Sequence, residues 1–276
     1  MSSRLELKLS ACMLYVYSNL TLGNAKASER GLEIIRECLR KEMEAPTSER
    51  NTAYCVFAGY MGTVLLHLST EKLPDMKKYM SSLPQGLRIF AAYVISHNLY
   101  LKGEYSRALE ICDAALFSCK EIYPVGMIYL YCVTAMCEIS LKNQAEAEKA
   151  ILTAWKLAEK DELIEPFIEL HGLLQGLLES CIRKENPEMY RKISDAVITF
   201  SRGWMAVHNP ASDNPVTDAL TTMEFSIAML ACRDWSNREI AEHMGLSLNT
   251  VKHYLTDIFN KIHVKKRDEL KNLVLK

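Results

Sequence analysis

The chain has 276 residues, of which 49% are apolar and 24% are charged, and its formal net charge is −1. This length predicts about two domains with a substantial buried core, and the composition excludes a disordered or collagen-like chain. The nearly neutral total indicates neither a nucleic-acid binder nor a membrane-surface binder, but such a sum can hide a local concentration of charge.

The nine cysteines predict reduced, buried thiols rather than disulfides or a zinc site. Their number is odd, none forms a C-x-x-C pair, and they lie inside apolar helical segments. These are the properties of small buried side chains in a cytosolic protein, so we expect a cytoplasmic location.

Neither a signal peptide nor a membrane span is indicated. The segment from Arg4 to Tyr17 has the basic start and apolar run of a signal peptide, but Glu6 and the lack of a small-residue cleavage site argue against one. The longest apolar stretches, 53–68 and 124–139, are shorter than a membrane span of about 20 residues. We therefore expect both stretches to form buried helices.

The prolines divide the first part of the chain into repeated units. Four of them recur at intervals of 38, 40 and 42 residues: Pro46, Pro84, Pro124 and Pro166. Each is followed by a long apolar segment of helical period, and Pro74 and Pro187 would each open a second helix within their unit. Because proline suits the first turn of a helix and disrupts its interior, these positions predict helix starts. No segment alternates with period two, so the fold should be all-α.

A repeat of about 40 residues with two helices per unit is typical of a helical solenoid. In the clearest unit, residues 87–120, Gly103 would make a short turn and Ala108 and Ala115 would allow close helix contacts. The pattern resembles tetratricopeptide repeats, in particular those of MalT-like regulators, although the consensus Trp and Gly of the first helix are absent. The sequence predicts a tetratricopeptide-like sensor or interaction domain of about five helix pairs over residues 1–208.

Residues 209–219 are expected to be a linker, because Pro210 and Pro215 lie there among Asn, Ser and Asp residues that favour turns. A second, smaller domain would then occupy residues 220–276.

This C-terminal segment has the packing pattern of a helix-turn-helix. Ser236 and Glu239 have the spacing of a capping box, Gly245 would permit a tight turn, and Ser247 would cap the next helix. That helix would bury a stripe of aliphatic residues: Val251, Leu255, Ile258 and Ile262. An ordinary helical hairpin that ends the solenoid would need the same features.

The charge distribution favours DNA binding over such a hairpin. Residues 247–267 contain five Lys or Arg and one acid, a local net of +4, whereas the 28 basic and 33 acidic residues elsewhere give −5. The exposed face of the second helix would present polar groups suited to base edges: Asn249, Lys252, His253 and Thr256.

The same segment contains a further series of residues in a fixed order: Leu220-Thr221 with Glu224, the run 236–241, the run 250–252, and the close at Ile258, Phe259, Lys261, Ile262, Val264 and Arg267. With this series the segment resembles the C-terminal domain of LuxR/FixJ-type transcription regulators. The resemblance implies a four-helix domain with helices over about 221–233, 237–243, 248–263 and 267–275. Asp234 and Trp235 replace the usual Gly and small or aliphatic residue, Tyr254 replaces a common His, and the acid would weaken DNA affinity.

By this resemblance the protein would be a bacterial regulator that reads double-stranded promoter DNA as a homodimer, paired through the last helix, and that works with RNA polymerase. Three residues would face bases: Lys252, His253 and Thr256. Three would approach phosphates: Arg238, Thr250 and Lys261. For Arg238 and Lys261 a solvated charge is the alternative.

No motif for catalysis or for a cofactor occurs. The patterns G-x-x-x-x-G-K, H-E-x-x-H, G-x-S-x-G and G-x-G-x-x-G are all absent from the sequence. His243, His253 and His263 are ten residues apart, which does not align them on one helix face. We expect no enzyme activity, no cofactor and no metal site.

Aromatic and histidine side chains recur on one face of the predicted solenoid helices: Phe57, Tyr60, Phe90, Tyr93, His97, Tyr100, Tyr129 and His171. In tetratricopeptide-like solenoids this face often lines a concave groove, where the side chains could hold a small molecule or a peptide. The alternative is that they are core between helices. We refer to these eight residues as the aromatic stripe.

The sequence thus predicts a DNA-binding regulator whose solenoid receives a small-molecule or protein signal and controls the C-terminal domain. The alternative is a tetratricopeptide-like interaction scaffold whose terminal domain has lost DNA binding, for which Asp234 is the only support.

Overall fold

The computed structural model describes residues 2–22, 24–66, 73–119, 121–208 and 219–274. Within these ranges the chain forms α-helices, two 3₁₀ segments and one π-helical turn, and no β-strand. The all-α prediction is confirmed. The predicted linker, residues 209–219, lies outside the described residues except for Ala219. No described helix is long and apolar enough to cross a membrane.

The first part of the chain consists of helical hairpins that stack in chain order. The helices are α1 (Ser2–Thr21), α2 (Ala25–Glu44), α3 (Glu49–Leu66), α4 (Gln85–Leu101), α5 (Tyr105–Ser118), α6 (Pro124–Ser140) and α7 (Gln144–Ala158). A 3₁₀ helix, Met76–Ser82, takes the place of a second helix after α3. Helix α1 packs on α2, α4 on α5 and α6 on α7. Helix α3 contacts α1, α2 and α4, and both α4 and α5 contact α6.

Four of the six prolines begin α-helices, as predicted, whereas Pro46 lies three residues before α3 and Pro74 precedes only the 3₁₀ helix. Pro84 is the N-cap of α4, Pro124 is in the first turn of α6, and Pro166 is in the first turn of α8 (Glu165–Glu169). Pro187 is the first residue of α10 (Pro187–His208). Gly103 makes the turn between α4 and α5 with a φ of +75°, a conformation that glycine adopts without strain.

The fifth unit departs from a regular helix pair. The apolar segment after Pro166 predicts one long helix, but α8 ends at Glu169 and is followed by turns over residues 170–176. A π-helical turn, Leu178–Ile182, and one α-helical turn, α9 (Arg183–Glu185), come next. The expectation of a long helix was therefore wrong at this place, although the solenoid class is confirmed. Gly176 lies in the break with a φ of +84°, which glycine adopts without strain, and the broken segment lies against the C-terminal domain.

Helix α10 returns along the solenoid and packs against α1 and α2 as well as against α8 and α9. The last helix of the solenoid therefore touches its first pair.

The C-terminal domain has the four helices that the resemblance implies. They are α11 (Thr222–Cys232), α12 (Asn237–Met244), α13 (Leu248–Lys261) and α14 (Arg267–Val274). Helix α11 packs against α12, α13 and α14, and α12 packs against α13.

All nine cysteines are free thiols; Cys12 and Cys119 are partly exposed and the other seven are buried. Burial raises the pKa of the Cys55 and Cys232 thiols to about 12, because the charged thiolate is poorly solvated there.

Candidate nucleic-acid interface

Two capping boxes begin the first two helices of the C-terminal domain. At α12, Ser236 Oγ accepts the Glu239 N–H at 3.2 Å and the Glu239 carboxylate accepts the Ser236 N–H at 2.6 Å, as predicted. At α11, Thr221 and Glu224 make the same pair of bonds at 3.3 and 2.8 Å. The second box was missed in the sequence, although its T-x-x-E spacing was the available signal.

The turn between α12 and α13 has the predicted chemistry. Gly245 ends α12 with a φ of +64°, the left-handed region that favours glycine. Ser247 Oγ accepts the Thr250 N–H at 3.1 Å and so caps α13. The inner faces of the two helices carry Ile240, Met244, Val251 and Ile258, all fully buried. This apolar contact fixes the angle between α12 and α13.

The outer face of α13 is open to solvent. Four side chains at three- and four-residue spacing share it, and all are exposed: Asn249, Lys252, His253 and Thr256. Lys252 and His253 make no side-chain hydrogen bond or ion pair with any described residue. Thr250 is half-buried, and its hydroxyl lies 2.8 Å from Ser247 Oγ. The residues predicted to face bases therefore lie together.

The residues predicted to approach phosphates have different surroundings. Arg238 is exposed at the start of α12, and its side chain pairs with no described residue. Lys261 Nζ donates to both carboxylate oxygens of Glu224, at 2.7 and 2.8 Å, and ties the end of α13 to the start of α11. Burial opposes ionisation of Glu224, but the bonds from Lys261 and Thr221 outweigh it and lower the pKa of Glu224.

Helix α14 is tied to the turn between α11 and α12. Arg267 donates to the Trp235 carbonyl and to Asn237 Oδ1, each at 2.6 Å. Lys271 pairs with Asp234 at 2.6 Å, and this contact lowers the pKa of Asp234. Asp234 has a φ of +62°, which explains in physical terms why glycine suits this place and why Asp, which tolerates the left-handed region, can stand there.

Two of the five cations in residues 247–267, Lys261 and Arg267, are therefore engaged inside the domain. The other three, Lys252, Lys265 and Lys266, are exposed. The outward charge is smaller than the sequence count indicates.

The C-terminal domain is docked on the solenoid through polar contacts that no sequence pattern indicated. Arg233 donates to Tyr100 OH at 2.7 Å and to Ser140 Oγ at 3.0 Å, and its guanidinium lies 5.6 Å from the centre of the Tyr100 ring. Lys142 of the solenoid pairs with Glu239 at 2.9 Å and lies 5.7 Å from the centre of the Trp235 ring.

The broken fifth unit contributes a second set of contacts. His243 Nε2 lies 2.8 Å from the carbonyl oxygen of Gln175, so it must carry the proton and donate it. Burial lowers the pKa of His243, which keeps the ring neutral. Ser226 donates to the buried carboxylate of Glu179 at 3.1 Å.

The aromatic stripe lies largely inside the protein. Five members are at most 7% exposed: Tyr93, His97, Tyr100, Tyr129 and His171. The other three, Phe57, Tyr60 and Phe90, are half-buried. The structure brings Phe90, Tyr93, Tyr129 and His97 into one series of ring contacts, with the Tyr93 and Tyr129 centroids 4.6 Å apart. In this state the stripe packs as core, and its predicted ligand binding stays a prediction.

A comparison with protein families matches residues 218–274 to the model described as "GerE: Bacterial regulatory proteins, luxR family". The match covers 57 of the 276 residues, and the comparisons with curated proteins and with solved structures found no match to the chain. The matched range contains both capping boxes, the glycine turn and the open face of α13. Residues 218–274 are therefore a LuxR-family helix-turn-helix domain, which belongs to DNA-binding transcription regulators and not to a family of enzymes.

Proposed function

We propose that the protein regulates transcription by binding promoter DNA through the outer face of α13, under control of a signal received by the solenoid. The observation that supports this most directly is the open polar face formed by Asn249, Lys252, His253 and Thr256. A recognition helix needs such a face, because it reads donors, acceptors and methyl groups on base edges in the major groove.

In the proposed complex, α13 lies in the major groove and α12 crosses the backbone. Lys252, with its free ammonium group, can donate to the O6 and N7 acceptors of a guanine, while His253, Thr256 and Asn249 read neighbouring positions. Arg238 and Thr250 approach phosphates. Lys261 would have to exchange Glu224 for a phosphate, so we expect a smaller contribution from it.

The active form is proposed to be a homodimer that pairs through α14 and reads two half-sites, about 34 Å apart, as the resemblance implies. The effector is a small molecule or a protein, and RNA polymerase is the expected partner at the promoter. A solenoid suits the receiving role because its stacked units form an extended binding surface.

The test is the affinity of the full chain for DNA fragments recovered by genome-wide footprinting, measured over a range of salt concentrations. We expect the logarithm of affinity to fall linearly with the logarithm of salt, because phosphate contacts release counterions. Lys252→Ala should cost about 1–3 kcal/mol of discrimination between the operator and random DNA. Lys156→Ala, which removes an exposed lysine of α7, is the matched control and should change nothing.

The competing function, an interaction scaffold with a degenerate terminal domain, makes the opposite prediction. Binding that is equal for all sequences and insensitive to Lys252→Ala would support the scaffold and contradict the proposal. Because that alternative rests on Asp234, it also predicts that Asp234→Gly restores operator binding to an otherwise inactive chain.

A further inference from the structure

The most irregular part of the solenoid, residues 170–182, is also the part that holds the C-terminal domain. Gln175 and Gly176 have φ values of +51° and +84°, and a π-helical turn follows at Leu178–Ile182. A left-handed conformation is unfavourable for a residue with a side chain, and π-helical turns occur mainly at functional positions. We call residues 170–182 the switch segment.

Glycines of the switch segment lie directly under side chains of the C-terminal domain. A Cβ atom added to Gly176 would be 2.4 Å from Met244 Sδ, and one added to Gly172 would be 2.7 Å from Phe225 Cε1. Both distances are far below van der Waals contact. The domain therefore docks at places where the switch segment has no side chains.

Polar contacts join the same two surfaces. His243 donates to the carbonyl of Gln175, and Ser226 donates to the carboxylate of Glu179, which is 1% exposed. The Glu179 carboxylate also lies 2.8 Å from His171 Nε2 and accepts from Tyr190 of α10 at 3.4 Å. One buried carboxylate thus connects the switch segment, α10 and the C-terminal domain.

The docked arrangement leaves several buried polar atoms without a hydrogen bond. Four buried side-chain atoms where the solenoid and the C-terminal domain meet have no hydrogen-bond partner within the described part of the chain: His171 Nδ1, Gln175 Oε1, Arg233 Nε and His243 Nδ1. Buried polar atoms without partners cost free energy, and so does the left-handed backbone at Gln175. The docking contacts must offset these costs.

The apolar spacing of the segment is that of a different local structure, a continuous helix, although Gly172 and Gly176 lower its helix propensity. After Pro166 no proline occurs until Pro187, and Leu170, Leu174, Leu177 and Cys181 recur at helical spacing. In a continuous helix the Gln175 carbonyl would accept the Glu179 N–H and would point along the helix axis. It would then no longer be directed at His243.

We propose that the switch segment has two states: broken while the C-terminal domain is docked on it, and closed into a continuous helix when the domain is released. The two states exclude each other because the Gln175 carbonyl is directed either at His243 or along the helix axis at the Glu179 N–H. One consequence is that the solenoid sets the orientational freedom of the DNA-binding domain, and this consequence rests on the proposed function. The two-state contact between the switch segment and the C-terminal domain does not depend on that function.

Gly176→Ala tests the proposal in the full chain without DNA. The new methyl group meets Met244, the positive φ becomes unfavourable, and alanine favours the helix. In hydrogen–deuterium exchange we expect amides of α11 and α12 that face the solenoid to exchange about tenfold faster, while amides of residues 170–177 exchange more slowly. Gly103→Ala is the matched control, since Gly103 also has a positive φ but has no atom within 4 Å of the added methyl group.

A second variant changes the surface of the C-terminal domain that contacts the switch segment. Phe225→Ala weakens docking but leaves the sequence of the switch segment unchanged. It therefore tests the proposal even if Gly176→Ala only unfolds the fifth unit. Because coupling between two sites is reciprocal, Phe225→Ala should again slow exchange at residues 170–177. Faster or unchanged exchange there, with α11 and α12 loosened, would overturn the proposal.

The outcome is independent of DNA binding. A chain that showed both exchange changes but did not bind promoter DNA would contradict the proposed function and support the two-state switch segment. A chain that bound its operator but showed no opposed changes in exchange would support the proposed function and contradict the two-state switch segment.

Discussion

The ion pair between Lys261 and Glu224 allows a sharp test of how the helix-turn-helix domain is held together. Glu224 is 5% exposed and accepts from Lys261 as well as from the N–H and hydroxyl of Thr221. Replacing Lys261 by Met leaves this buried carboxylate with the two Thr221 donors alone. The stability of α11 should therefore fall.

The size of the loss follows from the exposure of the two partners. A hydrogen bond to a charged group contributes about 1.5–3 kcal/mol when it is buried. The Lys261 side chain is 42% exposed, so solvent screening reduces the value to about 1 kcal/mol. That loss corresponds to roughly fivefold faster exchange of the α11 amides.

The assay is a double-mutant cycle of Lys261→Met and Glu224→Gln in the full chain, since Gln can keep the capping box. Lys265→Met, which removes an exposed cation just after α13, is the matched control. The pH dependence has a defined sign: because the folded-state pKa of Glu224 is lowered, its stabilisation is present above the ordinary Glu pKa and is lost as pH falls through the lowered value.

Two results would refute the reasoning. The first is a coupling energy that does not differ from zero. The second is a Lys261→Met variant of unchanged stability whose DNA affinity has a smaller salt dependence than that of Lys265→Met, because that would assign Lys261 to a phosphate instead.

Three further predictions concern other parts of the chain. Ser236→Ala removes the cap of α12 and should cost about 1 kcal/mol in urea unfolding, whereas Ser10→Ala, at an exposed position of α1, should not. Asp234→Gly suits the positive φ and removes an acid near the proposed DNA backbone, so stability should be nearly unchanged and affinity for promoter DNA should rise in a gel-shift titration. Burial raises the pKa of Glu169 to about 8, so the wild type should lose stability as pH rises from about 4.3 through 8. Glu169→Gln should abolish this loss, which thermal unfolding at several pH values can measure.

The sequence predicted the C-terminal domain well because its determinants are local. Ser236, Glu239, Gly245 and Ser247 act within a few residues of one another, and each fixes a helix end by a bond or a dihedral angle that the structure contains. The predicted boundaries agree with the observed helices to within two residues. The prolines of the solenoid act in the same local way.

The sequence-based predictions were wrong or incomplete where a local structure or a side-chain pairing involves residues far apart in the sequence. The segment after Pro166 has the apolar pattern of a helix, yet it is broken where Gly172 and Gly176 lie against Phe225 and Met244, which are far away in sequence. The engagement of Lys261 by Glu224 and of Arg233 by Tyr100 likewise joins residues far apart in sequence. Periodicity contains no information on such pairs, because it records which face of a helix is apolar and not what will cover it.

The placement of the cysteines has a practical and a chemical consequence. Oxidants and alkylating reagents attack the thiolate, and burial shields the seven interior thiols from them. Burial also raises the thiol pKa of six of these residues: Cys55, Cys112, Cys132, Cys137, Cys181 and Cys232. Oxidative damage to the core should therefore be slow while the chain is folded. Maleimide dyes should modify Cys12 and Cys119 first, one in the first helix and one just after α5, so distances within the solenoid can be measured by fluorescence without removing a single native cysteine.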